Sequence, residues 1–213
     1  MALSLFIQSP IIFFIFILSI LFALSVHEYG HAFAAYVLGD PTAKNMGRLT
    51  LNPLAHIDLF GFLFFLLVGF GWGKPVPFNP FNLRNKKYGP AIVALAGPLF
   101  NLFSIIIFGL ILVLVKNYFF SNSLLILFLS WLVIINAVLM VFNLIPIPPL
   151  DGSKILYVVL PKNREDIVYK MERNGPFILL GLLVLDRLMP ISIFGSLFGL
   201  VISLISRIFG INF

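Results

Sequence analysis

A chain of 213 residues with 61% hydrophobic and only 10% charged side chains, at a mean hydropathy of +1.09, is too apolar for a soluble globular domain and reads as a polytopic membrane protein. Its formal charge of +6 is divided among loops, where basic residues act as topology signals, so no nucleic-acid partner is expected. There is no Cys, which excludes a disulfide framework and a thiolate metal site and leaves His and carboxylate as metal ligands.

The N-terminus lacks the positive n-region and small-residue cleavage site of a signal peptide, so the first helix is expected to remain in the mature protein. Residues 1–26 contain no Asp, Glu, Lys or Arg, and an apolar helix is predicted over about 10–38, closed by a left-handed Gly39 and by Pro41. Its last third carries His27-Glu28-Tyr29-Gly30-His31. Positions i and i+4 share one helix face, so His27 and His31 can hold one metal ion together. Glu28 is rotated by about 100° from His27 and lies beside the metal, where a general base takes a proton from the attacking water. Such a pattern also occurs by chance in soluble proteins. On a bilayer-spanning helix, each of these residues costs on the order of a few kcal/mol to insert, which favours a zinc site over a structural polar cluster. The following loop carries Lys44 and Arg48 and the N-terminal flank no basic residue, so the N-terminus is expected outside and the metal site nearer the cytoplasmic face.

The apolar stretch 57–73 is short for a crossing, contains Gly61, Gly69, Gly71 and Gly73, and is basic on both flanks. This predicts a re-entrant or β-hairpin element that enters and leaves on the cytoplasmic side. The segment 71–77, Gly-Trp-Gly-Lys-Pro-Val-Pro, reads as extended chain, because Pro75 and Pro77 lack donors. It either offers a strand edge to an extended peptide or is an interfacial loop anchored by Trp72. A span follows over about 88–115, interrupted at Gly97-Pro98. Its Asn101 either faces the site or belongs to a kink with an interhelical hydrogen bond. After an external turn, 124–144 returns with Asn136 and Asn143. Pro146, Pro148 and Pro149 then force the backbone open just before Asp151-Gly152.

A catalytic zinc takes three protein ligands and keeps one position open, so the His pair needs a third. Glu28, Asp58, Asp151 and Asp186 are the carboxylates at plausible depth. Asp151 follows a helix that runs in the same direction as the first and so reaches the depth of His31. The charged stretch 154–173 reads as a solvated connector. The apolar stretches 177–185 and 191–205, separated by Asp186-Arg187 and Pro190, are two short crossings or one broken hairpin, with Asp186 and Arg187 at an external interface. The fold class expected is an all-α bundle of about five to six transmembrane helices with the re-entrant element.

These residues resemble the site-2 protease family of intramembrane zinc metalloproteases. The resemblance rests on His27-Glu28-x-x-His31 in a transmembrane helix and Asn143-x-x-Pro146-x-x-Pro149-Leu150-Asp151-Gly152 at the end of a later one. Arg48 with Asn52-Pro53-Leu-Ala-His56-Ile-Asp58, the 71–77 segment and Gly97-Pro98-x-x-Asn101 add to it, over roughly residues 20–155. It implies one zinc ion per chain held by His27, His31 and Asp151, Glu28 as catalytic base, and Asn143 holding substrate or stabilising the oxyanion. It also implies a single metalloprotease domain over 1–213, with a core of about 10–155 and C-terminal helices of about 176–209. The chain departs from many members in having no PDZ or nucleotide-sensing domain. For His56 three readings stand: it closes over the metal in a resting state, positions water or substrate, or is a loop histidine bonded to Asp58.

The expected function is zinc-dependent hydrolysis of a peptide bond in or near a transmembrane segment of a membrane protein. The partners are that substrate and the bilayer, with a homo-oligomer possible. The rivals are an intramembrane zinc transporter, which would depend on His27 and little on Glu28, and a non-catalytic zinc-containing binder of membrane proteins.

Overall fold

The computed structural model describes residues 2–118, 123–161, 164–190 and 192–210. A short helix α1, Ala2–Gln8, leads into α2, Pro10–Val37, which begins with Pro at its first position and ends on Leu38 and a left-handed Gly39 (φ 105°). The 28 residues of α2 extend about 42 Å, well beyond the roughly 30 Å of bilayer hydrocarbon. A single turn, α3, Thr42–Asn45, and a loop then lead to α4, Leu59–Val68.

The α4 helix is the first half of the 57–73 element for which a re-entrant path is expected. Asp58 caps it by accepting the Gly61 N–H at 2.8 Å, and a left-handed Gly69 (φ 84°) ends it. Ten residues rise only about 15 Å, too little to cross. The chain comes back extended, Gly73 pairs antiparallel with Ile57, and the Lys74 N–H donates to His56 O at 2.8 Å. Entry and exit are therefore adjacent, but the expected β-hairpin reduces to this single bridge among the described residues. Glycine is required where the two halves touch: a Cβ on Gly61 would lie 2.1 Å from Trp72 O, and one on Gly71 would lie 2.2 Å from Gly61 O.

Helices α5, Gly89–Tyr118, and α6, Ser123–Asn143, complete a three-helix core with α2. A turn containing a cis Pro148–Pro149 peptide leads into α7, Asp151–Val159. Then come α8, Glu165–Leu188, and α9, Ile193–Phe209, which meet at 83°. Ile105 and Leu112 of α5, Leu132 and Val133 of α6 and Ile205 of α9 are buried together. Large side chains such as Phe14, Leu18, Phe60, Leu67 and Ile107 point outward, as surfaces wetted by lipid do.

Among the described residues, three helices are long and apolar enough to cross a membrane, or four if the bent α8–α9 pair is one broken span. The expected count of five to six is not confirmed: the stretches 177–185 and 191–205, open to counting as two crossings, lie in the one bent pair α8–α9. The stretch 154–173, expected as a solvated connector, is largely helical among the described residues. It is α7 and the charged first half of α8, which runs on through Pro176 into the apolar half, with Glu165 and Asp166 in its first turn, where acids suit the helix dipole. Asp186 caps α9, accepting Ser192 Oγ–H at 2.6 Å and the Phe194 N–H at 3.0 Å at its start.

Candidate metal centre

The site is built where α2 and α5 pack most closely. They run antiparallel, so Ala23 lies beside Asn101 and His31 beside Val93. Gly30 and Gly97 allow the approach. A Cβ on Gly30 would sit 2.8 Å from Ala96 O. One on Gly97 would sit 2.5 Å from both Cε1 and Nε2 of His31 and 2.8 Å from Cε1 of His27.

Both imidazoles are held by their Nδ1 atoms. Asn101 is fully buried, and its Nδ2 donates to Ala23 O at 3.1 Å and to Asn136 Oδ1 at 2.8 Å. Its Oδ1 must therefore accept, and His27 Nδ1–H donates to it at 2.6 Å. His31 Nδ1–H donates to Val93 O at 2.8 Å. In the neutral ring this leaves each Nε2 as a bare lone pair, the tautomer that metal-ligating histidines need. Pro98 supplies no N–H to the helix ladder, which leaves the Ala94 carbonyl, next to Val93, without its i+4 donor, although α5 runs on through Gly97-Pro98 as one helix and is not interrupted there.

The third donor comes from the break after α6. Because α6 runs parallel to α2, its end brings Asp151 to the level of the His pair. The chain there doubles back so tightly that a Cβ on Gly152 would lie 2.2 Å from Leu144 O. Asp151 Oδ2 sits 3.1 Å from His27 Nε2 and 3.3 Å from His31 Nε2, and the two Nε2 atoms are 3.0 Å apart. Oδ2 is buried and has no hydrogen-bond donor. Three lone pairs thus face one another with no proton assigned between them, an arrangement that repels unless a cation sits among them. Ligand atoms about 2.0–2.2 Å from a tetrahedral ion are roughly 3.3–3.6 Å apart, so the donor set fits zinc in type and number, and its 3.0–3.3 Å spacing needs to widen by only a few tenths of an ångström. Among the described residues, His27, His31 and Asp151 form the group of potential metal ligands.

Glu28 is buried and stands outside this triad. Its Oε2 accepts the Val76 N–H at 3.0 Å, which ties it to the extended return of the re-entrant element. That return is braced from behind. Arg48, itself buried, donates from Nη2 to Lys74 O and, at 3.3 Å, to Pro75 O. Asp40, fully buried, accepts the Asn79 N–H at 2.6 Å, Asn82 Nδ2–H at 2.9 Å and the Thr42 N–H at 3.1 Å. Burial opposes the charge on Asp40, but these donors and the Thr42 hydroxyl outweigh it and hold the carboxyl below its usual range.

Of the residues singled out from the sequence, His27, His31, Asp151 and Asn101 come together, with Glu28 beside them. For Asn101 the two readings merge: it links three helices and orients a ligand. Asn143 ends α6 half-buried, with Nδ2 donating back to Leu139 O at 3.0 Å. His56 stands apart from the metal group. Its Nε2–H donates to Thr50 O at 2.8 Å, its Nδ1 is buried without a partner, and its main chain, not its ring, braces Lys74. Asp58 is engaged as a helix cap and does not bond His56. Sequence reasoning missed Val93 O and the Val76 N–H, which are main-chain groups without a residue signature. It also read Arg48 as a topology charge and as part of a motif, without a structural role, and passed over Asp40. An Asp directly after the helix-ending glycine and before Pro41 was the available signal for a turn-organising carboxylate.

Comparison with known proteins points the same way. A sequence model of Peptidase family M50 matches residues 118–185, which include Asn143 and Asp151. A protein of Bacillus subtilis (strain 168) named "Putative zinc metalloprotease YwhC" is 37% identical over 174 residues, covering 79% of this chain and 79% of that protein. "Putative zinc metalloprotease Rip2" of Mycolicibacterium smegmatis is 31% identical over 186 residues, covering 83% of this chain and 69% of that protein. No solved structure matches the chain.

Proposed function

We infer the roles of individual residues from the premise that this chain belongs to peptidase family M50. It is an integral membrane protein and a zinc-dependent intramembrane metallopeptidase, whose substrate is a membrane protein. On our reading His27, His31 and Asp151 hold the zinc, within one catalytic domain whose core is about 10–155. The observation that carries this is the convergence of two Nε2 lone pairs and one undonated carboxylate oxygen. Bound zinc supplies a Lewis acid that polarises a peptide carbonyl and makes water acidic near neutral pH.

The protein's own groups do the rest. Asn101 and Val93 O hold the rings in the ligating tautomer. Glu28, fixed through Oε2 by the Val76 N–H, keeps Oε1 to take the proton of the attacking water and return it to the departing amine. A substrate helix must unwind before its carbonyl can be attacked, and the extended 71–77 segment holds the unwound stretch by strand addition. Asn143 is assigned to the substrate carbonyl, for which its Nδ2 must leave Leu139 O. Lys44, Arg48, Arg84, Lys86 and Lys87 cluster in the sequence beyond the site end of α2, which supports a site facing the cytoplasm. The undivided role of Glu28 as non-ligand separates this reading from a transporter.

The test compares purified wild type with Glu28→Gln for zinc content and for cleavage of a fluorogenic transmembrane peptide. Full zinc in both with cleavage only in wild type is the expected result. Equal cleavage by both sinks the role of Glu28, and absence of zinc from wild type sinks the site.

A further inference from the structure

One cavity has no part in the chemistry above. It holds about 150 Å³, opens to the exterior and lies between α2, the two halves of the re-entrant element and α6, with Leu24, Ile57, Phe65, Trp72, Ile135 and Leu139 among its walls. An apolar cavity of about this volume takes a benzene-sized group. The matching side chains are those of Leu, Ile, Met and Phe. Asp58, the one acid on its lining, turns Oδ1 to the Gly61 N–H.

Its position gives the occupant. Leu24 lies four residues before Glu28 on α2, about 6 Å along the axis. Gly73, also on the lining, is three residues before Val76, whose N–H holds Glu28. In the Ile57–Gly73 pair the bond runs from the Lys74 N–H to His56 O, so the N–H and C=O of Gly73 itself face the opposite edge. A peptide strand added along that edge sends alternate side chains to one side, at roughly 3.3 Å per residue. Pro75 has no N–H, so such pairing centres on Gly73, which lines the cavity and lies three residues before the Val76 that holds Glu28.

We propose that the cavity walled by Leu24, Ile57, Trp72, Ile135 and Leu139 is a specificity pocket for one Leu- to Phe-sized apolar side chain of the unwound substrate, near the cleaved bond. This rests on the reading that the 71–77 segment holds substrate. Leu139 is the residue to change, because it lines the pocket and only its main-chain carbonyl serves Asn143.

The full chain in nanodiscs is given a mixture of transmembrane peptides of varied sequence, and the cut sites are mapped by mass spectrometry for wild type, Leu139→Ala, Leu139→Phe and Ile135→Ala, with Glu28→Gln as background and zinc content as the check on folding. Wild type is expected to favour Leu, Ile, Met or Phe at one position two or three residues from the cut. Leu139→Phe shifts that position toward Ala and Val, and the two Ala variants shift it toward Phe and Trp, each by about tenfold in relative rate. Zinc-loaded variants that cut with the wild-type preference at every position overturn the pocket while leaving the peptidase reading intact. No Glu28-dependent cleavage by wild type refutes that reading and the pocket with it. In a Trp131→Phe background, Trp72 emission reads the same cavity. Quenching by brominated acyl chains that saturating peptide does not relieve in Glu28→Gln assigns it to lipid and overturns the proposal.

Discussion

Replacing Gly97 by Ala adds one methyl group to α5 at the place where His27 and His31, the two proposed metal ligands, meet the helix. In an ordinary helix interior this change is favourable by about 0.5–1 kcal/mol. Here the new Cβ would stand 2.5 Å from two ring atoms of His31 and 2.8 Å from Cε1 of His27. Carbon contacts relax at about 3.5–4.0 Å, so both rings, or the whole of α5, must retreat by roughly 1 Å. Zinc coordination tolerates about 0.2 Å. Disturbing the groups that orient a ligand typically costs about 10–100-fold in metal affinity, and moving two ligands at once places this variant at the upper end, near 100-fold or about 2.7 kcal/mol. The assay is zinc per chain after equilibration against graded chelator, alongside thermal unfolding of the metal-free protein. Gly181→Ala is the control, since a Cβ there meets nothing within 4 Å. The expected pattern is weakened zinc binding in Gly97→Ala alone. Zinc affinity equal to wild type in Gly97→Ala would refute the claim that this glycine makes room for the ligand pair.

Three further outcomes follow from the supporting residues. Asn101→Ala removes the acceptor of His27 Nδ1–H, and a fall of about 10–100-fold in zinc affinity is expected by chelator competition. Arg48→Ala frees the carbonyls of Lys74 and Pro75, and with them the Val76 N–H that fixes Glu28. Cleavage is expected to drop by about 100-fold at unchanged zinc content, with partial recovery in Arg48→Lys, whereas unchanged cleavage removes Arg48 from any positioning role. Asp40 has a folded-state pKa below its ordinary 3.8, so its stabilisation is present above that value and is lost as pH falls through the lower folded value. Asp40→Asn should therefore be less stable than wild type at pH 6, with the gap in unfolding temperature closing toward pH 3. An equal gap at both pH values would contradict an ionised Asp40 as the source.

What the sequence reveals and what it conceals divides along physical lines. The pair His27–His31 is legible because it is local: four residues on a helix share a face, and three polar side chains stand out on an apolar background. Asp151 is legible through direction, since a helix parallel to α2 must end at the same level. Gly39 and Pro41 end α2 by local backbone rules alone. By contrast, Gly97 looks like half of a kink until the partner helix shows what its missing side chain makes room for. Arg48 looks like a surface charge because burial is a tertiary property. The charged half of α8 looks like a connector because many charges suggest solvation, although Glu165 and Asp166 sit where helices favour acids.

The remaining determinants share a cause that explains why they meet in one place. A continuous helix uses its main-chain groups internally and has little left to hold a ring or a carboxylate. In hydrocarbon each break in that ladder costs several kcal/mol unless protein or water satisfies it. Among the described residues two such breaks lie at the site, the 144–150 turn after α6 and the extended return after Gly69, and Pro98 removes one donor within the continuous α5. The turn after α6 presents Asp151, and the extended return offers the Val76 N–H to Glu28. Asp151 and Glu28 are thus positioned by the breaks, whereas His27 and His31 are held by Asn101 and by Val93 O of α5. Restoring regular helix at either break would relieve the local backbone and disarm the centre, which is why prolines and glycines, the residues least suited to a membrane helix interior, surround the most reactive part of this one.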